Sequence, residues 1–208
     1  MMPFAAKNNR NITTRQNGLN SKSPLLFSIL DKIDIQKRYE ILETGFASRD
    51  SINYFSQYWC KLYITDSAAT LSAMNTDEFD TPYKLNRALV KSMMLYKDKK
   101  ASLDCLLFWD LPNYLQPDIF SALIAYLLPH TNPQTHLHCY LYTSRLMPEL
   151  PGKYHILQNN QIKIEIDSPR TRTCPAYYQE ALQKLTYPFK VKRSILHSNG
   201  LQEYLLRQ

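Results

Sequence analysis

The chain has 208 residues, 44% of them hydrophobic and 21% charged, which matches the size and composition of a single globular domain. No run of about 18 uncharged apolar residues occurs, so no transmembrane helix is expected. The N-terminus also lacks the apolar middle of a secretory signal. The formal charge of +7 permits weak attraction to nucleic acid without specifying a partner. We therefore expect a cytoplasmic protein with no membrane span.

The residue types that ligate metals are scattered. The four cysteines are Cys60, Cys105, Cys139 and Cys174. None forms a CxxC pair, which favours reduced thiols over a zinc or redox site. His136 and His138 form an HxH pair that a strand would place on one face, but no acidic residue lies nearby in sequence. No metal site is expected.

Residues 1–23 are polar and basic and show no apolar period, which predicts a flexible N-terminal arm before a single domain over residues 24–208. In the first half of that domain the pattern predicts two helix–strand pairs. These are a helix over Leu25–Ile33, a strand over Tyr39–Gly45, a helix over Ser51–Trp59 and a strand over Lys61–Thr65.

The second half continues the alternation of helices and strands. The expected elements are a helix over Tyr83–Leu95, a buried strand over Leu103–Trp109, a helix over Pro117–Leu128, a strand over Thr135–Tyr142 and a helix over Tyr177–Leu185. Two further strands, Phe189–His197 and Leu201–Leu206, flank Asn199-Gly200, a strong hairpin signal. The predicted fold is α/β: three layers, with helices on both faces of a mostly parallel sheet that ends in an antiparallel hairpin.

Polar residues follow three of these strands. Glu43-Thr44-Gly45-Phe46-Ala47-Ser48 follows the first strand, Asp66 follows the second, and Asp110-Leu111-Pro112-Asn113-Tyr114 follows the buried strand. In open α/β sheets, ligands bind at the carboxyl ends of strands, where a glycine lets the backbone approach and an acid accepts hydrogen bonds from ribose. These segments therefore predict a binding site at that edge of the sheet.

The same segments, with the order of elements over about Tyr39 to Leu206, resemble the class I S-adenosylmethionine-dependent methyltransferases, which have a Rossmann-type fold. The resemblance implies S-adenosylmethionine as cofactor, held by Glu43, Gly45, Ala47 and Asp66. Ala47 and Arg49 stand where the family has its second and third loop glycines. Arg49 has two interpretations: it pairs with Glu43 or Asp66 and fills the cofactor space, which makes a pseudoenzyme, or it points into solvent.

In a methyltransferase the chain's main tasks would be to align the acceptor and, where needed, to remove its proton. We expect Asp110 to position or deprotonate the acceptor, Asn113 to orient it, and Tyr114 or Trp109 to pack against a planar substrate. Each residue also has a structural interpretation. Asp110 can be a turn residue, Asp66 a helix cap, and the two aromatic residues part of the core.

Three functions follow as hypotheses. The first is an S-adenosylmethionine-dependent methyltransferase of unknown acceptor. The second is a catalytically inactive methyltransferase-like protein that acts as an interaction or regulatory module with a protein partner. The third is an RNA-binding protein that uses the basic arm and the terminal hairpin. The stretch from Arg193 to Tyr204 resembles the end of uncharacterised bacterial methyltransferase-like proteins, which implies no particular activity.

Overall fold

The architecture comes from a computed structural model. It describes residues 18–67, 69–70, 102–167, 169–175 and 177–208. The helix expected over Tyr83–Leu95 and residues 1–17 of the expected arm lie outside the described residues.

The described part of the chain contains helices and strands that we number in chain order. The strands are β1 Leu19–Lys22, β2 Tyr39–Glu43, β3 Cys60–Ile64, β4 Leu103–Trp109, β5 Thr131–Tyr142, β6 Leu146–Pro148, β7 Lys153–Ile156, β8 Gln161–Glu165, β9 Thr171–Thr173, β10 Lys190–Leu196 and β11 Leu201–Arg207. The α-helices are α1 Pro24–Leu30, α2 Arg49–Phe55, α3 Pro117–Leu127 and α4 Gln179–Leu185. A short 3-10 helix, Leu111–Tyr114, follows β4.

The main sheet has six strands in the order β10-β11-β5-β4-β2-β3. The strands β2, β3, β4 and β5 are parallel, whereas β11 is antiparallel to both β5 and β10. Gly200, with φ of 84°, forms the turn of the hairpin, a conformation that glycine adopts without strain. The expected α/β class, with a mostly parallel sheet and a terminal antiparallel hairpin, is confirmed.

The sheet is covered on both faces, as the apolar sequence of β4 indicates. Leu106 and Phe108 face a core built largely on α3 and α4. Leu107 and Trp109 face the opposite core, which contains α1 and α2. Alternate residues of one strand thus enter two cores, because successive strand side chains point to opposite faces.

A second, smaller sheet was not predicted from the sequence. It has the order β1-β8-β7 and is antiparallel, and we call it the small sheet. Its first strand, Leu19–Lys22, belongs to the segment expected to be a flexible arm, so the ordered part of the chain begins before Pro24. Tyr154, Ile156 and Ile162 of the small sheet pack into the same core as Trp109.

The structure bears on the cysteines, on metal sites and on membrane helices, which were considered from the composition. Cys105 and Cys139 lie buried in β4 and β5, and all four cysteines are free thiols. Among the described residues, no cluster of three potential ligands could hold a metal ion, and no helix is long and apolar enough to cross a membrane.

Candidate functional site

The candidate site lies at the carboxyl ends of β2 and β4. From β2 the chain runs through α2 to β3 on one side, whereas β4 lies on the other side of β2, so the strand order reverses between them. In open α/β sheets, such a switch point forms the crevice that binds ligands. Glu43, Gly45 and Asp110 all lie here, as their positions after the strands predict. We call this the switch-point crevice.

Glu43 ends β2 and is fully buried, with 0% of its surface exposed. Its Oε1 accepts a hydrogen bond of 3.1 Å from Nε1 of Trp109, while its Oε2 has no hydrogen-bond partner among the described residues. Burial raises the pKa of Glu43 to about 8, despite the hydrogen bond from Trp109, which lowers it. Glu43 is therefore largely protonated at neutral pH in this arrangement.

Trp109 fills the crevice between Glu43 and the small sheet. Its indole stacks on Tyr154, with ring centres 4.8 Å apart and planes 9° apart, and Tyr154 stacks in turn on Tyr140. Its backbone has φ of 48°, a conformation that is strained for a bulky residue and that persists where surrounding contacts impose it. The stack and the hydrogen bond to Glu43 are such contacts. We call the stacked rings of Trp109, Tyr154 and Tyr140 the aromatic column.

Gly45 shows how closely the indole approaches the loop after β2. A Cβ atom built on Gly45 would lie 2.6 Å from Cδ1 and 2.8 Å from Nε1 of Trp109. The space beside Gly45 that the absence of a Cβ atom leaves free is therefore occupied by the Trp109 indole of the protein itself.

Asp110 lies beside this column and is 1% exposed. Its Oδ2 accepts hydrogen bonds from the Gly152 amide at 3.0 Å and the Tyr142 hydroxyl at 3.3 Å. Its Oδ1 has no hydrogen-bond partner within the described ranges of the chain. Burial raises the pKa of Asp110 to about 7, although these hydrogen bonds lower it. The carboxylate holds the loop before β7 against the end of β4.

The other two residues expected to act in catalysis make structural contacts. Asn113 donates to the carbonyl oxygens of Asp110 and Tyr140, both at 2.8 Å, and accepts from the Tyr142 amide at 3.0 Å. The Tyr114 hydroxyl donates to the carbonyl oxygens of Pro148 and Leu150. Both side chains are buried, and both also line a pocket of about 210 Å³.

The remaining predicted cofactor residues lie away from the column. Asp66 Oδ1 accepts a hydrogen bond of 2.9 Å from the Ala69 amide, which is a helix-cap contact, and Ala47 is exposed. Arg49 is exposed at the start of α2, whose N-cap is Ser48. Arg49 therefore points into solvent, and the interpretation in which it fills the cofactor space is wrong.

As they are arranged in this structure, the side chains of the switch-point crevice occupy the place where the resemblance would put S-adenosylmethionine. Glu43, Trp109, Asp110 and Tyr154 are each at most 1% exposed and contact one another or the small sheet. A ligand at Gly45 or Glu43 would have to displace the Trp109 indole. Sequence reasoning missed this filling, because Trp109 and Tyr154 are far apart in the chain. The aromatic residue directly before Asp110 was the only local signal.

Comparisons with known proteins give the following results. No protein-family model and no curated protein matches the sequence. Among solved structures, 1,6-didemethyltoxoflavin-N1-methyltransferase of Burkholderia thailandensis, with S-adenosylhomocysteine bound, is 14% identical at a TM-score of 0.44, covering 89% of this chain and 75% of its own.

Two further solved structures show likenesses of the same order. The glycopeptide N-methyltransferase MtfA, complexed with S-adenosylhomocysteine, is 9% identical, with a TM-score of 0.47. The match covers 89% of this chain and 88% of the MtfA chain. Fibrillarin of Aeropyrum pernix, with natively bound S-adenosylmethionine, is 11% identical, with a TM-score of 0.42 and coverages of 88% and 72%.

Gly45→Ala tests the close approach of the indole. We expect the methyl group to destabilise the chain by about 1–3 kcal/mol, because neither the Trp109 ring nor the loop has space to give way. Urea unfolding measures the change. Gly18→Ala is the matched control, since its Cβ would meet only the flexible side chain of Lys163. Equal, small effects of both substitutions would show that Trp109 does not press on Gly45.

Proposed function

We propose that this chain is a methyltransferase-like domain that does not bind S-adenosylmethionine in its switch-point crevice and acts as an interaction or regulatory module. The observation that carries the proposal is the Trp109 indole, which lies against Gly45 and is held by Glu43 and Tyr154. This is the second of the functions predicted from the sequence, with Trp109 in the role considered there for Arg49.

The energetic argument compares the closed crevice with an open one. Moving a fully buried aromatic side chain into water costs about 2–3 kcal/mol, before the loss of the stack on Tyr154 is added. A cofactor that binds only the open form has its apparent affinity reduced by the fraction that is open, here roughly a hundredfold or more. The closed column therefore opposes cofactor binding even where Glu43 and Gly45 are present.

A second candidate is an S-adenosylmethionine-dependent methyltransferase whose crevice opens, its acceptor unknown. The specific observation in its favour is that Glu43 Oε2 and Asp110 Oδ1 are buried without hydrogen-bond partners in the part of the chain that the structure describes. Buried acceptors without partners are costly, and a ligand with hydroxyl or amino groups would satisfy them. Glu43 and Gly45 would then be the residues that hold the cofactor.

Calorimetric titration with S-adenosylmethionine and S-adenosylhomocysteine separates the two candidates. We expect no binding heat from the wild-type chain up to about 1 mM ligand. Trp109→Ala removes the indole from the crevice, and Trp59→Ala, which alters a tryptophan that is 62% exposed, is the matched control. Binding by Trp109→Ala alone would identify the indole as the obstacle.

The opposite outcome is equally clear. Micromolar binding by the wild-type chain, lost in Glu43→Gln, would refute the proposal and establish the methyltransferase candidate. A search for the acceptor would follow from that result.

A further inference from the structure

A groove at the opposite edge of the main sheet is independent of the switch-point crevice. It lies at the amino ends of β2, β4 and β5, between the end of α1 and the last residues of β11, and has a volume of about 330 Å³. Pockets for small molecules in proteins occupy about 300–1,000 Å³, so the groove is large enough for a small ligand.

The walls of the groove are mainly apolar. Leu30 and Ile33 come from the α1 side, and Tyr39 and Ile41 come from β2. Leu30 and Ile41 are each 1% exposed, whereas Ile33 and Tyr39 are half-buried and face the opening. Such walls bind the apolar body of a ligand by removing its surface from water.

The rim of the groove is basic. Lys32, Lys37 and Arg207 line it, together with a single carboxylate, Asp104. Asp104 is already engaged: it lies 3.9 Å from Lys37 Nζ and accepts a hydrogen bond of 2.9 Å from the Glu40 amide.

Lys32 and Arg207 remain without a carboxylate at ion-pair distance among the described residues. The Arg207 Nε–H donates to the Pro133 carbonyl at 3.3 Å, which leaves its terminal guanidinium nitrogens as additional donors. His136 also lines the groove, and burial together with the positive charges of Arg207 and Lys32 lowers its pKa. Among the described residues that line the groove, three cations face one carboxylate, so the rim carries a net positive charge.

We propose that this groove binds a small organic anion, an aromatic or aliphatic carboxylate, whose apolar body packs on Leu30, Ile33 and Ile41 and whose carboxylate meets Arg207 and Lys32. Arginine is suited to the second role, because its planar fork matches the geometry of a carboxylate. The apolar walls would pack against the ligand's hydrocarbon part, and the basic rim would favour an anionic ligand over a neutral one.

The test uses 2-naphthoate as the probe and neutral 2-naphthamide, of the same shape, as its control ligand, with the full chain and calorimetric detection. We expect naphthoate to bind roughly tenfold or more tightly than the amide, because only the anion forms charge-assisted hydrogen bonds. Arg207→Gln should weaken naphthoate binding roughly tenfold and leave the amide unchanged. Arg193→Gln, which removes an exposed cation of β10, is the matched control and should change neither.

A second variant and a second measurement keep the result decisive. Ile33→Glu places a negative charge at the opening and should abolish naphthoate binding. Amide chemical shifts in nuclear magnetic resonance spectra should move for Ile33, Ile41 and His136 when naphthoate is added. Equal affinity for the two probes, unchanged binding by Arg207→Gln, or shifts confined to other parts of the chain would each overturn the proposal.

Discussion

Replacing Glu203 by Gln will destabilise the chain by about 3–5 kcal/mol, the range for removing one partner of a buried ion pair. Glu203 lies in β11 and is 0% exposed. Its Oε1 accepts hydrogen bonds from Ser23 Oγ at 2.7 Å and from the Leu25 and Leu26 amides at 3.1 and 3.0 Å, and it lies 2.9 Å from His138 Nε2. A Gln side chain keeps one acceptor oxygen for these donors, but its NH₂ takes the place of Oε2, which lies 2.9 Å from His197 Nε2, and the negative charge beside His138 is lost.

Urea unfolding of Glu203→Gln and the wild-type chain at neutral pH measures this effect. Glu180→Gln is the matched control, since Glu180 is 85% exposed and its pair with Lys184 should contribute about 0.5 kcal/mol or less. A loss below about 1 kcal/mol for Glu203→Gln would mean that water reaches the Glu203 carboxylate, or that its hydrogen bonds do not hold α1 against β11.

Acid should reduce the difference between wild type and Glu203→Gln. Burial alone would raise the pKa of Glu203, but hydrogen bonds and charge from His138, with those from Ser23 and the Leu26 amide, lower it to about 2. A carboxyl with a lowered pKa contributes stability above its unfolded value of 4.5, and this is lost as the pH falls toward 2. The destabilisation by Gln is thus largest at neutral pH and shrinks in acid.

The second large effect concerns Glu43. Its contribution to stability changes with pH in the opposite direction to that of Glu203. Because burial raises the pKa of Glu43 from 4.5 to about 8, the folded chain keeps a proton that the unfolded chain has released. Between these values, Glu43 should therefore lower the free energy of unfolding as the pH rises, by about 1.4 kcal/mol per pH unit, in addition to any contribution from Asp110. Glu43→Gln removes this dependence and should be more stable than wild type at about pH 8.

Urea unfolding at several pH values between about 5 and 8 measures the slope for wild type and Glu43→Gln. Asp110→Asn is the companion variant. The pKa of Asp110 rises from 3.8 only to about 7, so its own contribution to the slope should end one unit earlier. A wild-type slope that Glu43→Gln leaves unchanged would show that Glu43 is ionised and that water enters the crevice, which would favour the methyltransferase candidate.

Several features of this protein were determined by local sequence alone. The apolar run Leu103–Trp109 was predicted as a strand covered on both faces, and β4 has these bounds. Asn199-Gly200 predicted the hairpin between β10 and β11. The alternation of helices and strands indicated that the residues after β2 and β4 lie at one edge. Each inference depends on periodicity or turn chemistry between neighbours in sequence.

The tertiary structure alone decided what fills that edge. β1 pairs Leu19 with Ile164, which lies far along the chain, so a polar segment became an ordered strand. Tyr154 of the small sheet stacks on Trp109, and Glu203 of the last strand binds the first helix. Side-chain contacts between residues this distant leave no periodic signal, since they depend on how sheets and helices pack. The sequence indicated where a ligand would bind; the packing of Trp109 against Gly45 decides whether it has room.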